Sequence, residues 1–310
     1  MDTVAVILQQ PHDLALRRIG IAPPGEADVV VDICYSGIST GTERLLWSGR
    51  MPPFPGMGYP LVPGYESMGR VTAAGPLSGR QVGQPVFVPG ANCFGDVRGL
   101  FGGAASRLVV PGARALPISD TLGERGVLLS LAATAYHAVA QQPPELIVGH
   151  GVLGRLAARI VMAIGAPPPK LWECNPARIA GATGYTVLDP ADDSASHYRA
   201  ICDMSGDAGI LDQLMAWLAP GGEIVLAGFY AQKLTFEFPP AFMREARIRV
   251  AAQWQKQDLD AALRLIDSGA LSLDGLISHR EPASRAPDAY RTAFDDPACL
   301  KMILDWRHCA

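Results

Sequence analysis

The sequence predicts an α/β protein built in three stretches. A small, irregular β-barrel or sandwich comes first, then a parallel sheet covered by helices, then a short mixed return. Three observations predict it. Valine- and isoleucine-rich runs, broken by proline and glycine, fill residues 1–115. Strand–helix alternation replaces them over residues 116–250. A glycine-rich turn joins a strand to a helix inside that second stretch. The remaining residues, 251–310, return to the first texture, and 310 residues suit about two domains.

In the first stretch, Val4–Leu8, Asp28–Cys34, Met68–Ala73, Pro85–Val88 and Ser106–Val110 read as strands. Pro23-Pro24-Gly25, Pro52-Pro53, Gly75-Pro76 and Pro89-Gly90 separate them. In the second, Leu146–Val148, Lys170–Trp172, Val187-Leu188, Ala200–Cys202 and Glu223–Ala227 read as strands. Val152–Ile164, Asn175–Ala182 and Ile210–Leu218 read as helices, the last ended by Pro220-Gly221-Gly222. In the return, Asp258–Leu265 has a helical apolar face and Cys299–Trp306 reads as a closing strand.

Composition excludes several function classes. Hydrophobic residues make up 49% and charged residues 18%, which is enough apolar matter for a core and excludes general disorder. Net charge is −4, with no lysine–arginine block, so neither nucleic acid nor an anionic membrane surface is an expected partner. The start, Met1-Asp2-Thr3, lacks a basic leader, and the apolar stretch 157–166 is too short to span a bilayer. A cytoplasmic protein is expected. The six cysteines (34, 93, 174, 202, 299 and 309) form no CxxC, and the histidines form no HExxH. Cys174 and Cys202, at strand ends, read as small buried hydrophobes.

The most informative string is Gly149-His150-Gly151-Val152-Leu153-Gly154, which follows a strand and opens a helix. Gly149 permits a tight turn, Gly151 lets a pyrophosphate approach the backbone, and Gly154 lets helix pack on strand. The helix N-terminus then offers free N–H groups to the phosphates. Glu173 lies 24 residues beyond Gly149, at the end of the next strand. A carboxylate there accepts both adenosine ribose hydroxyls and repels a 2′-phosphate, so NAD is the expected cofactor. Arg178 is the opposing signal, a candidate 2′-phosphate ligand. His150 either caps the pyrophosphate or faces solvent. Asn175, Thr134, Ser205 and Gly228 complete the expected cofactor contacts.

Further strings extend the reading to nearly the whole chain: Val82–Val86, Ala133-Thr134-Ala135-Tyr136-His137-Ala138, Leu218–Val225 and Asp274–His279. Together they resemble the medium-chain dehydrogenase/reductase superfamily. That resemblance implies a GroES-like catalytic barrel, a Rossmann cofactor domain inserted into it, and a dimer joined by edge strands of the cofactor domain. Zinc-dependent members hold a catalytic metal with a cysteine in G-I-C, a histidine in G-H-E and a third donor before the Thr134 helix. Here those positions carry Ser39, Tyr65 and Ser130. Hydroxyls and a phenol are not a zinc donor set, so no metal is expected. His137 reads as a packing residue.

Ser36-Gly37-Ile38-Ser39-Thr40-Gly41-Thr42-Glu43, Pro63-Gly64-Tyr65-Glu66-Ser67 and Trp172-Glu173-Cys174-Asn175 resemble a narrower family. Its members oxidise the 3-(1-hydroxyethyl) group of bacteriochlorophyllide a to 3-acetyl. That implies a tetrapyrrole substrate and an NAD-dependent alcohol oxidation without zinc. Tyr65 would donate to the substrate oxygen or relay its proton. Ser39 and Thr42 would extend the relay toward water, and Glu43 or Glu66 would accept the proton or polarise the phenol. The plain alternatives are that Tyr65 fills the space of the metal, Glu66 is an inherited buried group, and Glu43 pairs with Arg44 or Arg50 at the surface. The apolar loop Met51–Pro60 falls where the superfamily lines its substrate cleft, so Trp47, Phe54, Met57 and Tyr59 are candidate substrate contacts. Two other functions stay open: a zinc-free quinone or enone reductase, and a non-catalytic nucleotide- or pigment-binding protein.

Overall fold

The valine- and isoleucine-rich runs become strands in the computed structural model, which describes residues 1–195 and 197–309. In chain order these are β1 (Asp2–Gln10), β2 (Asp13–Gly20), β3 (Asp28–Ile38), β4 (Leu61–Val62), β5 (Ser67–Ala74), β6 (Pro85–Val88), β7 (Arg98–Gly99), β8 (Arg107–Pro111) and β9 (Leu116–Pro117). A short helix, α1 (Thr42–Trp47), follows β3. The alternating stretch gives α2 (Leu129–Val139), β10 (Leu146–Val148), α3 (Val152–Ala163), β11 (Lys170–Trp172), α4 (Pro176–Ile179), β12 (Thr186–Leu188) and β13 (Tyr198–Asp203). It continues with α5 (Leu211–Trp217), β14 (Leu218–Leu226), α6 (Phe238–Met243), β15 (Arg247–Val250) and α7 (Lys256–Asp267). The return supplies β16 (His279–Pro282), α8 (Ala286–Asp295) and β17 (Met302–Asp305).

The chain separates into two units, Met1–Ser130 with Leu276–Ala310, and Leu131–Gly275. Texture placed the changes at 115/116 and 250/251. The first boundary moves because the 3₁₀ segment Asp120–Leu128 packs on β3, β5 and β6. The second moves because β15 pairs with β14, and α7 is tied to α2. That tie is His137 Nδ1, 2.9 Å from Asp258 Oδ2. Asp258 is also the N3 residue of a capping box with Gln255 at the start of α7. His137 is therefore a packing and tethering residue.

In the first unit, one sheet has the order β2-β1-β4-β7, and the other runs β16-β17-β3-β5-β6-β9, with β8 also on β3. Apolar side chains from β1, β3, β5, β6, β8, α8 and β17 share one core. The return matters most for position. β17 lies antiparallel to β3 with Met302 opposite Ile38, and β3 lies antiparallel to β5 with Ser36 opposite Ser67. Residues 36–39, 65–67 and 301–302 therefore meet.

In the second unit all six strands are parallel, in the order β12-β11-β10-β13-β14-β15. That is the doubly wound 3-2-1-4-5-6 order of a Rossmann sheet. β10 is buried along its whole length, as a central parallel strand covered on both faces must be. Two expectations shift. The helix over 175–182 shrinks to α4, because the backbone is already extended at Ala180 (ψ 157°) before Gly181 takes φ +88°. Pro220-Gly221-Gly222 forms an irregularity within β14, between the pairs Tyr198–Leu218 and Ala200–Glu223.

Candidate active site

The glycine-rich turn follows β10 and starts α3. Gly149 has φ +99°, and its N–H donates to Trp172 O at 2.9 Å. A Cβ on Gly154 would sit 1.9 Å from Gly149 O, so only glycine lets α3 approach β10 here. A Cβ on Gly151 would meet nothing within 4 Å. The space over Gly151, beside the N-terminus of α3, is the room a diphosphate needs. Val152 and Leu153 form the first turn of that helix. The carboxylate of Glu173 is fixed beside the loop: Oε2 accepts from His150 N–H at 3.0 Å and Oε1 from Asn175 N–H at 2.9 Å. Asn175 caps α4 by accepting from Ala177 N–H.

His150 does neither thing the sequence suggested. Its ring is fully buried. Nδ1 donates to Arg178 O at 2.6 Å, so Nε2 is the acceptor for Tyr185 O–H at 2.9 Å. Burial, with Arg155 nearby, lowers its pKa to about 4 and keeps it neutral. It braces the loop from behind and leaves no ring nitrogen for a phosphate. Arg155, also buried, bonds only carbonyls here: His150 O, Arg178 O and Ala180 O. Together they lock the 178–180 segment to the glycine turn. Arg178 contributes its carbonyl to that lock, while its buried Nε has no hydrogen-bond partner.

Farther along the sheet, Asp203 ends β13. Its carboxylate accepts from Ser205 N–H and from Tyr230 O–H at 2.6 Å, and its carbonyl accepts from Gly228 N–H. Ser205 and Gly228 thus belong to one linked pair of strand ends. Thr134 lies partly buried on α2. Cys202 is buried, but Cys174 is exposed, which corrects the expectation for it: β11 ends two residues earlier and the chain turns outward.

In the first unit, Tyr65 O–H donates to Ser39 Oγ at 2.7 Å and is also bonded to the Thr42 side chain. Burial and the neighbouring Glu66 charge push its pKa up, so the phenol stays protonated. Glu66 is fully buried, and burial raises its pKa while Lys301 opposes the rise. Lys301 Nζ donates to Glu66 Oε2 at 2.6 Å and to Ile38 O at 3.1 Å. Glu66 Oε1 has no hydrogen-bond partner. The carboxylate fits only because residue 37 is glycine: a Cβ there would lie 2.1 Å from Glu66 Oε2. Glu43 is not a surface partner of Arg44 or Arg50. It is 1% exposed, with Oε1 accepting from Ser39 N–H at 3.0 Å and Oε2 from Tyr290 O–H at 2.7 Å. Burial raises its pKa to about 7, against the pull of those two donors.

Ser39, Thr42, Glu43, Tyr65 and Glu66 therefore come together, and Lys301 and Tyr290 join them unforeseen. Tyr290 had a readable signal. Ala286, Ala289, Tyr290, Ala293 and Phe294 follow helical spacing after Arg285-Ala286-Pro287, and all are buried on α8. Lys301 had none, since a lysine inside an apolar run shows its partner only when β17 is placed on β3. Ser130 is buried at the start of α2. Two hydroxyls and a phenol do not suit zinc, and no cluster of three or more histidine, cysteine or acidic side chains fit for a metal exists among the described residues.

The proposed substrate contacts are all partly buried. Trp47 packs edge-on to His12 (centroids 4.2 Å apart) and against Phe294 (5.5 Å), and is partly buried against the core. Phe54, Met57 and Tyr59 rest, partly exposed, on a small core of Leu8, Leu46, Met51, Leu61 and Leu100. Tyr59 O–H is taken by Leu46 O at 2.5 Å. The aromatic side chain that does meet Tyr65 is Phe101, edge-on at 5.5 Å and 39% exposed. No helix among the described residues is long and apolar enough to cross a membrane.

Comparisons with known proteins bear on this arrangement. Residues 25–120 match the alcohol dehydrogenase GroES-like domain. The chain is 58% identical over 311 residues to a 2-desacetyl-2-hydroxyethyl bacteriochlorophyllide A dehydrogenase of Rhodobacter capsulatus, covering 99% of each. It is 56% identical over 318 residues to the protein of that name from Cereibacter sphaeroides, covering 100% of each. Among solved structures, an alcohol dehydrogenase from Escherichia coli CFT073 in complex with NADH superposes with TM-score 0.84 at 20% identity, over 98% of this chain and 99% of that one. A dehydrogenase from Sinorhizobium meliloti bound to NADP gives 0.81 at 23% identity, over 98% and 99%. These two likenesses establish the fold.

Proposed function

Since the chain belongs to the family of the 2-desacetyl-2-hydroxyethyl bacteriochlorophyllide A dehydrogenases, we propose that it oxidises the hydroxyethyl side chain of a bacteriochlorophyllide to acetyl, with NAD and without zinc. The single observation that carries the zinc-free part is the Tyr65–Ser39 hydroxyl pair at 2.7 Å, at the positions where zinc members have metal ligands. Bound NAD supplies the acceptor for the carbinol hydride. The chain's own residues must take the hydroxyl proton.

Tyr65 is no phenolate base, because its pKa lies above the ordinary phenol range. It acts by exchange: its oxygen accepts the alcohol proton as its own proton passes toward Ser39 or Thr42. Thr42 is partly exposed and opens that exchange to water. Lys301 neutralises Glu66, so a lone buried carboxylate does not oppose charge building on the substrate oxygen. Glu43, below Ser39 and titrating near neutral pH, sets the charge behind the pair. The benzylic character of a carbinol attached to a conjugated ring eases hydride loss and lessens the need for a metal.

Glu173 supports NAD over NADP, because its carboxylate is held rigidly at the end of β11, where a 2′-phosphate would be repelled. The exposed outer edge of β15, with Val250 exposed and Ile248 beside Phe238, Phe242 and Met243 of α6, supports pairing with a second copy. A cytoplasmic location fits the composition. Two measurements test the reading. Tyr65→Phe is expected to cut turnover about 100-fold with NADH affinity retained, and unchanged turnover removes Tyr65 from the mechanism. Titration of both cofactors is expected to favour NADH, and tighter NADPH binding refutes the assignment of NAD.

A further inference from the structure

The strip around Phe101 continues in one direction to Arg98, a cation that no carboxylate pairs with among the described residues. β7 runs parallel to β4, with Arg98 opposite Leu61 and Gly99 opposite Val62. The pairing goes on past the strands: Leu100 and Gly102 N–H donate to Val62 O, and Gly103 N–H donates to Pro63 O and Gly64 O. This ledge ends where the Phe101 ring meets Tyr65. Arg98 and Phe101 are three residues apart, at most roughly 10 Å along the chain.

The Arg98 side chain is exposed and built in place. Its guanidinium lies against Gly58, where a Cβ would be 3.0 Å from Arg98 Cζ, and Nη1 donates to Tyr59 O at 3.3 Å. No carboxylate pairs with it among the described residues; Arg17, Arg18, Arg44, Arg50, Arg80 and Arg114 of the same unit also lack one, and Arg98 is the one that lies three residues from Phe101. The molecule thus presents, in order, a hydroxyl pair suited to a carbinol, an exposed aromatic edge and an unpaired guanidinium.

From this we infer that Arg98 binds the free propionate carboxylate of the macrocycle, and so orients its hydroxyethyl-bearing ring toward Tyr65. The inference rests on the substrate reading above. A bacteriochlorophyllide is a flat apolar ring system that carries one free propionate, on the pyrrole ring next to the one bearing the hydroxyethyl group. Guanidinium is the side chain best matched to a carboxylate, through paired N–H···O bonds.

The test uses purified full-length protein with two substrates, 3-(1-hydroxyethyl) bacteriochlorophyllide a and its propionate methyl ester, and reads kcat/KM for each. The wild type is expected to prefer the acid by about tenfold. Arg98→Gln should lose that preference by slowing the acid to the level of the ester, with the ester little affected, and Arg98→Lys should restore part of it. NADH binding, which belongs to the other unit, checks that the variants fold. Equal use of acid and ester by the wild type, or an equal loss on both in Arg98→Gln, overturns the assignment. Failure of the wild type to oxidise either pigment overturns the substrate reading itself, a result distinct from any change in acid preference.

Discussion

Replacing Glu43 with glutamine should change how stability depends on pH. The side chain is buried, accepts two hydrogen bonds and has no cation in contact. Its pKa lies at about 7 in the folded chain, against 4.5 for an exposed glutamate. Between those values the folded protein holds a proton that the unfolded chain has released. The raised pKa therefore stabilises the fold fully below about pH 4.5, and that stabilisation is lost as pH rises through 7. At 1.36 kcal/mol per pKa unit, the wild type should lose about 2.5 kcal/mol between pH 5 and pH 8 through this group alone. Glutamine keeps an acceptor oxygen and cannot ionise. Urea unfolding of both proteins at intervals from pH 5 to pH 8 gives the test. The difference in unfolding free energy should drift by about 2.5 kcal/mol in favour of Glu43→Gln. Titrating groups with no interaction with Glu43 cancel in that difference. A difference that stays flat across the window refutes the burial argument for Glu43.

Other consequences follow from the same geometry. Lys301→Met leaves Glu66 buried and unpaired and should cost about 3–5 kcal/mol in urea unfolding, whereas Lys301→Met with Glu66→Gln should recover most of it; equal losses would mean that the uncompensated Glu66 charge is not what destabilises the single variant. Gly154→Ala places a methyl 1.9 Å from Gly149 O, so a loss of about 1–3 kcal/mol and weaker NADH binding by fluorescence titration are expected together. Val250→Arg on the open edge of β15 should leave a monomer in light scattering, and an unchanged mass would place any self-association elsewhere.

The parallel sheet and its glycine turn were legible in the sequence, because they depend on local rules. A strand buried on both faces needs an unbroken apolar run, and the turn needs glycine where a Cβ would strike Gly149 O. The hydroxyl and carboxylate cluster was legible only as residue types. Ser39, Tyr65 and Glu66 stand in recognisable strings, but Glu66 takes its state from Lys301, 235 positions away, and Glu43 takes its own from Tyr290, 247 positions away. Glu43 is acidic and adjacent to Arg44, which reads as surface until α8 brings Tyr290 over it. His150 failed for the same reason, since Tyr185 and the Arg178 carbonyl that bury it belong to a later crossover. Trp47 reads as a slot residue beside the apolar loop, yet its ring contacts are with His12 and Phe294, 247 positions further on.

The central claim is that this chain oxidises a secondary alcohol with a pyridine nucleotide and its own hydroxyl groups. The most direct measurement combines purified protein, extensively treated with chelator and assayed for metal, with NAD and 3-(1-hydroxyethyl) bacteriochlorophyllide a. Pigment absorbance and NADH are followed together. The account predicts one NADH for each acetyl product, at a rate that neither chelation nor added zinc changes. Activity that disappears with the chelator and returns with zinc would contradict it.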